Sequence, residues 1–456
     1  MSLDYTIFLN YSIHSLYFCI MLKINRILVL GSGGREHVFT WKLSKELSKD
    51  NLFVAPGNAG TVDIATNINI GVNDFEAIGR FCLDNSIDCV LPGSEDPLVN
   101  GIVDYFNNDP ALKHIYVFGP NKEAAQLEGS KSYCKAFMQR HNIPTAAYQS
   151  FDASTLTEGL TFLESLRPPY VLKADGLAAG KGVLIIDNLQ DAKEELKNML
   201  LNAKFGKAST RVVIEEFLSG IEFSVFVAMD GKNAIVLPEA KDYKRIGEKD
   251  TGLNTGGMGA VSPVPFANDD LMQKVMQTIV NPTVVGLVKE GLDFNGFIFF
   301  GLINDSGVPK VIEYNVRMGD PETEVVFPRI KSSFLQLLEL AANKRLNEYE
   351  IEFDNQVCTT VFAVSGGYPG DYSKGKEMAI KEIEQSILFH AGTAFNQENK
   401  LVTNGGRVIA ATAFGVTIEK ALENSYNALQ NINFEGMYYR RDIGLDLMSK
   451  SNNGNS

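Results

Sequence analysis

The sequence predicts an α/β protein that opens on a parallel, doubly wound sheet and continues into two further mixed sections. Three observations carry this. Residues 26–120 alternate short apolar runs with stretches of helical spacing, the pattern of strands joined by crossover helices. After Ala124 the alternation gives way to short strands linked by glycine-rich turns. From about Glu348 a third stretch again mixes strand and helix signals. A chain of 456 residues fits two to four domains at roughly 100–200 residues each.

Taken in order, residues 26–30 read as a first strand running into Gly31-Ser32-Gly33-Gly34, and residues 36–47 as the helix after it. Strands follow at 51–55, 89–91 and 114–119, with a helix at 75–84. Ligand loops of such a sheet lie at the strand carboxyl ends. The next section predicts a helix at 131–141, strands at 170–172, 223–229 and 234–237, and a polar glycine-rich loop at 241–259. A helix at 269–292 and a hairpin at 296–312 complete it. Residues 449–456, all but one Ser, Asn or Gly, read as a disordered tail. Residues 1–20 are rich in aromatic and aliphatic side chains but lack the basic start and cleavage site of a secretion signal. They are expected to be an extension, added by an upstream start or by cloning.

The net charge of −13, with no basic run, argues against a nucleic-acid or anionic-membrane partner. Five cysteines (Cys19, Cys82, Cys89, Cys134 and Cys358) show neither C-x-x-C nor zinc spacing. That odd, scattered set fits small buried side chains in a reducing, cytoplasmic compartment.

The chemistry-bearing segments come next. Gly33, Gly34 and Arg35 lie between the first strand and its helix, where backbone N–H groups can meet a phosphate. A structural turn or a dinucleotide loop would share those glycines. The dinucleotide reading is the weaker, because the second strand ends in Pro56-Gly57-Asn58-Ala59-Gly60-Thr61, without the carboxylate that grips a ribose. Residues 173–183 carry Lys173, Gly180, Lys181 and Gly182 but not the spacing of a P-loop. They predict a β-hairpin with a flexible tip that closes over a triphosphate, Lys173 acting as a point charge. Glu215, Glu216 and Phe217 end a strand, with Glu222 beyond a turn, an arrangement suited to adenine and ribose. Strand alternation places Glu313, Asn315 and Arg317 on one face. A carboxylate and an amide oxygen suit Mg²⁺, and a guanidinium suits a carboxylate or a phosphoryl group. The loop with Asp242, Asn254 and Gly256 is costly to order, which points to a ligand-wrapping role. The five histidines show no metal spacing, and no nucleophile triad emerges.

Read together, these segments resemble the phosphoribosylamine–glycine ligase family of the ATP-grasp superfamily. Further matching stretches are Ala124-Ala125-Gln126-Leu127-Glu128-Gly129-Ser130-Lys131, Gly366-Gly367-Tyr368-Pro369-Gly370, His390-Ala391-Gly392-Thr393 and Thr403-Asn404-Gly405-Gly406-Arg407-Val408. The resemblance implies a Rossmann-like (pre-ATP-grasp) domain over 21–124 and an ATP-grasp core over 125–347 with a small lid at about 145–213. A mixed α+β C-terminal domain would cover 348–448. It implies ATP with Mg²⁺ or Mn²⁺, and glycine and 5-phosphoribosylamine as substrates of a monomer. By that likeness Lys131 and Lys173 contact phosphates, Glu216 and its neighbours hold adenine, and Glu222 holds ribose. Glu313 and Asn315 bind the metal. Arg317, Asp242 and Lys173 serve the reaction, and Gly33, Gly34, Arg35, Asn58, Asn254 and Gly256 serve the acceptor substrates. The chain departs from the family at Lys241, Leu253, Val261 and residues 92–97. The remaining readings are another ATP-grasp ligase or carboxylase, an oxidoreductase, and a nucleotide sensor without catalysis.

Overall fold

The computed structural model describes residues 21–178 and 182–451. The expected extension at 1–20, Gly180 and Lys181 at the hairpin tip, and residues 452–456 lie outside the described residues. The predicted tail is shorter than expected, since the helix Leu445–Ser451 runs into it, anchored where Leu447 is buried.

The first sheet is parallel, as the alternation predicts. Its central strand Ile27–Gly31 lies between Leu52–Pro56 and Cys89–Pro92. These strands are apolar and buried almost throughout, because helices cover both faces. The predicted fourth strand divides. Tyr116–Val117 stays in this sheet, while Gly119–Pro120 turns away to pair with Phe294–Asp305 of the next one. The first helix stops at Leu43, earlier than predicted.

The hairpin Tyr170–Ala174 with Val183–Ile186 joins Arg211–Glu215 and Tyr148–Asp152 in a four-stranded antiparallel sheet. Two helices, Leu156–Ser165 and Leu189–Leu201, back it around a small core of its own. A larger antiparallel sheet runs from Val308–Asn315 through Phe294–Asp305, Ile221–Asp230 and Ala234–Asp242. It then crosses Gly259–Ser262 into Val357–Val364 and Arg407–Gly415. The second and third sections therefore share one sheet, which composition shifts do not show.

Residues 241–259, predicted as loop, contain a further hairpin: Arg245–Gly247 pairs with Thr251–Asn254. Its turn uses Lys249 and Asp250 at positive φ, a conformation Asp tolerates better than most residues. The predicted helix at 269–292 is two helices, Asp269–Val275 and Asn281–Glu290, joined by a π-helical segment.

Candidate active site

Three clusters of charge stand out, one on the small sheet, one on the large sheet and one where the first sheet's loops meet the later sections. The first is a buried triad. Glu215 Oε2 accepts from Lys173 at 2.9 Å and from Lys135 at 3.1 Å, with all three side chains under a tenth exposed. Register fixes it: Lys173 faces Val213 on the neighbouring strand, and Lys135 projects from the helix Lys131–Arg140, which Ser130 caps. Burial opposes the charge on Glu215, but Lys173 and then Lys135 outweigh it and hold the carboxyl below its usual range. Two ammonium groups against one carboxylate leave an excess positive charge, which favours a polyanion. Glu215 Oε1 has no partner among the described residues. Next along the chain, Glu216 donates its backbone N–H to Ala147 O at 2.9 Å and accepts the Ala147 N–H through Oε1 at 3.1 Å, while Phe217 is exposed. Lys131 opens its helix with its N–H on Asp175 O, and Gly182 O accepts from Ala174 N.

The second cluster is acidic and surrounds Lys244. Its Nζ lies 3.0 Å from Glu222 Oε2. Burial works against the Lys244 charge, yet Asp242, Glu222 and Glu313 together hold it well above the usual lysine range. Asp242 ends the strand Ala234–Asp242, and burial, then Glu222, push its carboxyl upward against Lys244. Glu313 and Asn315 are partly exposed while Tyr314 and Val316 are buried, the alternation that the strand predicts. With its NH₂ turned to Glu128 Oε1 at 3.0 Å, Asn315 presents its oxygen on the other side, as a metal ligand requires. No three carboxylate, histidine or cysteine groups close on one point among the described residues. A hard oxygen pair suits a divalent cation that keeps part of its water shell rather than a fully caged ion.

The third cluster brings together arginines from three parts of the chain. Arg317 donates to Glu128 Oε1 at 2.8 Å and to Met318 O at 3.1 Å, with Glu95 Oε2 at 3.3 Å. Arg35 also donates to Met318 O at 3.1 Å and pairs with Glu36. Arg407 pairs with Asp320 Oδ1 at 2.8 Å and donates to Asp320 O at 3.0 Å. Burial raises Glu128 to about 7, against the pull of Arg317. Glu324 is fully buried, and neither of its oxygens has a partner among the described residues.

Two expectations at the glycine loop change in detail. The Gly33 N–H, expected to face a phosphate, donates to Glu36 Oε2 at 2.6 Å. The neighbouring glycines make room for that carboxylate: a Cβ at Gly31 would lie 2.4 Å from Glu36 Cγ, and one at Gly93 2.1 Å from Glu36 Oε1. The Asn58 amide, expected to meet substrate, donates to Ser32 O at 2.9 Å and to His390 O at 2.8 Å. It ties the first sheet's loops to the last section, as does His390 N–H donating to His37 Nδ1 at 2.8 Å.

The comparisons decide the family. Residues 25–128, 129–323 and 358–446 match the N, ATP-grasp (A) and C domains of phosphoribosylglycinamide synthetase in turn. The chain belongs to the phosphoribosylamine–glycine ligase family. A relative of that name from Vibrio cholerae is 44% identical over 425 residues, covering 92% of this chain and 97% of the relative. One from Escherichia coli K12 is 42% identical over 434 residues, covering 94% and 100%. The crystal structure of a phosphoribosylamine–glycine ligase from Thermotoga maritima superimposes with a TM-score of 0.79 at 35% identity, covering 91% and 99%. Biotin carboxylase from Campylobacter jejuni shares the fold alone, with a TM-score of 0.69 at 14% identity and coverage of 91% and 93%. Membership makes the chain a ligase of purine biosynthesis built on an ATP-grasp core, a class that uses ATP with a divalent metal.

The sequence singled out Lys173, Glu215, Glu222, Asp242, Glu313, Asn315 and Arg317, and the structure gathers these into the first two clusters and the junction beside them. Lys135, Lys244, Glu128 and Arg407 did not stand out in the sequence. Lys135 stands four residues after Lys131 on one helix, so helical periodicity carried a signal. Glu128 and Arg407 lie inside stretches that matched the family, but their partners are 189 and 151 residues away, beyond any local pattern.

Proposed function

We infer that the chain joins glycine to 5-phosphoribosylamine at the cost of ATP, through a glycyl phosphate. The observation that carries this reading is the Lys135–Glu215–Lys173 triad, whose Lys173 reaches Ile312 O on the strand that carries the Glu313–Asn315 oxygen pair: one would hold a triphosphate by charge, the other would hold a divalent ion. The glycine carboxylate attacks the γ-phosphorus and ADP leaves. The amine of 5-phosphoribosylamine then attacks the acyl carbon, phosphate leaves, and the amine gives up a proton as the amide forms. Carboxylate and triphosphate repel, so Lys173, Arg317 and the bound cation must screen them. Mg²⁺, or Mn²⁺, supplies that charge screening when bound at Glu313 and Asn315.

Glu215 Oε1 and the backbone of Glu216 and Phe217 are the adenine contacts in this reading, and Glu222 takes the ribose hydroxyls once released from Lys244. Lys131 and Gly182 complete the phosphate grip, with residues 145–213 moving as the lid. Asp242 is the acceptor for the amine proton. The phosphate of 5-phosphoribosylamine sits at the first turn of the helix Gly34–Leu43, whose N–H groups suit an anion, and Arg35, Asn254 and Gly256 surround the acceptor side. Among the described residues no helix is long and apolar enough to cross a membrane, and we place the enzyme in the cytoplasm as a monomer without nucleic-acid partners.

Trapping tests the intermediate. With ATP, Mg²⁺, glycine and hydroxylamine but no 5-phosphoribosylamine, the enzyme should yield glycine hydroxamate and ADP in equal amounts. ADP formation only when the amine is also present, with no hydroxamate at any hydroxylamine concentration, would overturn the stepwise route.

A further inference from the structure

The segment at residues 254–257 is gripped from outside its own section. Gly256 N–H donates to Tyr368 Oη at 2.9 Å, and Gly256 O accepts from Arg407 Nη1 at 2.7 Å. Both backbone groups of one glycine are thus held by two side chains more than 100 residues away. Arg407 is fixed in turn. Its guanidinium stacks 4.7 Å from the Phe362 ring centroid and binds Asp320 through both backbone and side chain. Tyr368 lies so close over Gly406 that a Cβ there would fall 2.1 Å from its ring.

The held segment connects to two of the three charge clusters. Thr255 N–H and Oγ1 both donate to Lys244 O, at 2.7 and 2.8 Å. Gly257 packs on Pro321, where a Cβ would come within 2.3 Å of the ring, and its φ of +115° is one that glycine adopts readily. A Cβ on Gly33 would stand 3.3 Å from Asp320 Oδ2, so the segment borders the glycine-loop side of the site. The Lys173 triad belongs to the small sheet instead.

We propose that Arg407 and Tyr368 are positioning residues that order residues 254–257 for the acceptor side of the reaction, glycine and 5-phosphoribosylamine, and not for the nucleotide. The proposal rests on the ligase reading above. A run of Asn254-Thr255-Gly256-Gly257 carries a high entropy cost of ordering. Two hydrogen bonds donated and accepted by buttressed side chains offset it before substrate arrives, which is the condition for tight alignment of reacting groups.

The test uses the full chain with Tyr368→Phe, Arg407→Met and Arg407→Lys. Tyr368→Phe deletes one hydrogen-bond acceptor and should raise the KM for glycine or 5-phosphoribosylamine about fivefold, with the KM for ATP within about twofold. Arg407→Met should do more, and Arg407→Lys, which keeps the charge but not the fork, should recover part of the loss. Hydrogen exchange at residues 252–257 should quicken in each variant while the strand Phe294–Asp305 stays protected. Acceptor constants and exchange both unchanged would overturn the proposal, and so would an equal rise in the KM for ATP. The exchange measurement needs no turnover, so it decides the grip even where the ligase reading fails.

Discussion

Replacing Glu215 by glutamine removes the carboxylate between two buried ammonium groups 2.9 and 3.1 Å away. At those distances each attraction is roughly 5–6 kcal/mol at an effective dielectric of about 20, before desolvation is subtracted. Deleting one partner of a buried pair costs about 3–5 kcal/mol, because the remaining charge stays buried without compensation. Lys135 already has its pKa lowered by burial, so it is the group expected to surrender its proton. The damage should be local to the small sheet, whose strands Tyr170–Ala174 and Arg211–Glu215 carry the triad. Hydrogen exchange at residues 170–174 and 211–215 should accelerate by at least about two orders of magnitude if that sheet opens as a unit. A non-hydrolysable ATP analogue with Mg²⁺ should restore protection more in the variant than in the parent chain, since the triphosphate supplies the missing negative charge. Lys135→Met, which leaves the Lys173–Glu215 pair intact, should cost only about 1 kcal/mol. Parent-like exchange in ligand-free Glu215→Gln would refute the argument that the triad holds an excess charge for the nucleotide.

Other perturbations test the remaining clusters. Glu313→Gln keeps the side-chain volume and removes the charged metal ligand; kcat in a Mg²⁺ titration should fall at least about a hundredfold, with the circular dichroism spectrum unchanged. Arg317→Met should lose about two orders of magnitude in rate and destabilise by stranding Glu128; adding Glu128→Gln should return stability, read from the denaturation midpoint, without returning rate. Gly34→Ala places a Cβ 2.2 Å from Glu324 Oε1 and should destabilise by about 1–3 kcal/mol, a loss that a Glu324→Ala background should relieve. Burial, then Asp320, raise Glu324 well above the usual carboxylate range. The folded state therefore binds that proton more tightly than the unfolded chain, so this group's contribution to stability falls as pH rises above about 4.3. Glu324→Gln should flatten that decline, measured as denaturation midpoints from pH 5 to 8, and an unchanged slope would show the carboxyl to be otherwise compensated.

Local chemistry explains what the sequence disclosed. The first sheet was legible because its strands are buried on both faces and its helices are periodic, so Ile27–Gly31 and Phe75–Asp84 stand out. The Glu313–Asn315 face was legible because strand alternation is a period-two signal. The hairpin inside residues 241–259 was hidden by a composition rich in Gly, Asp and Thr, which reads as loop; cross-strand pairing at Arg245 and Asn254 decided otherwise. The burial of Glu36 against the loop was not legible, because the glycines beside it suit a phosphate loop and a buried carboxylate equally. Lys244 was hidden for a different reason: its neighbours Glu222 and Glu313 come from strands distant in sequence, and only the large sheet brings them together.

In the proposed reaction the triad, the oxygen pair and the arginine junction serve one ligation. The most direct test follows phosphate release from ATP and Mg²⁺, with glycine and 5-phosphoribosylamine supplied separately and together. Sustained release is expected only with both substrates, with one amide formed for each ADP. Sustained release driven by bicarbonate in place of glycine, or no release from folded enzyme that binds ATP, would contradict that reaction.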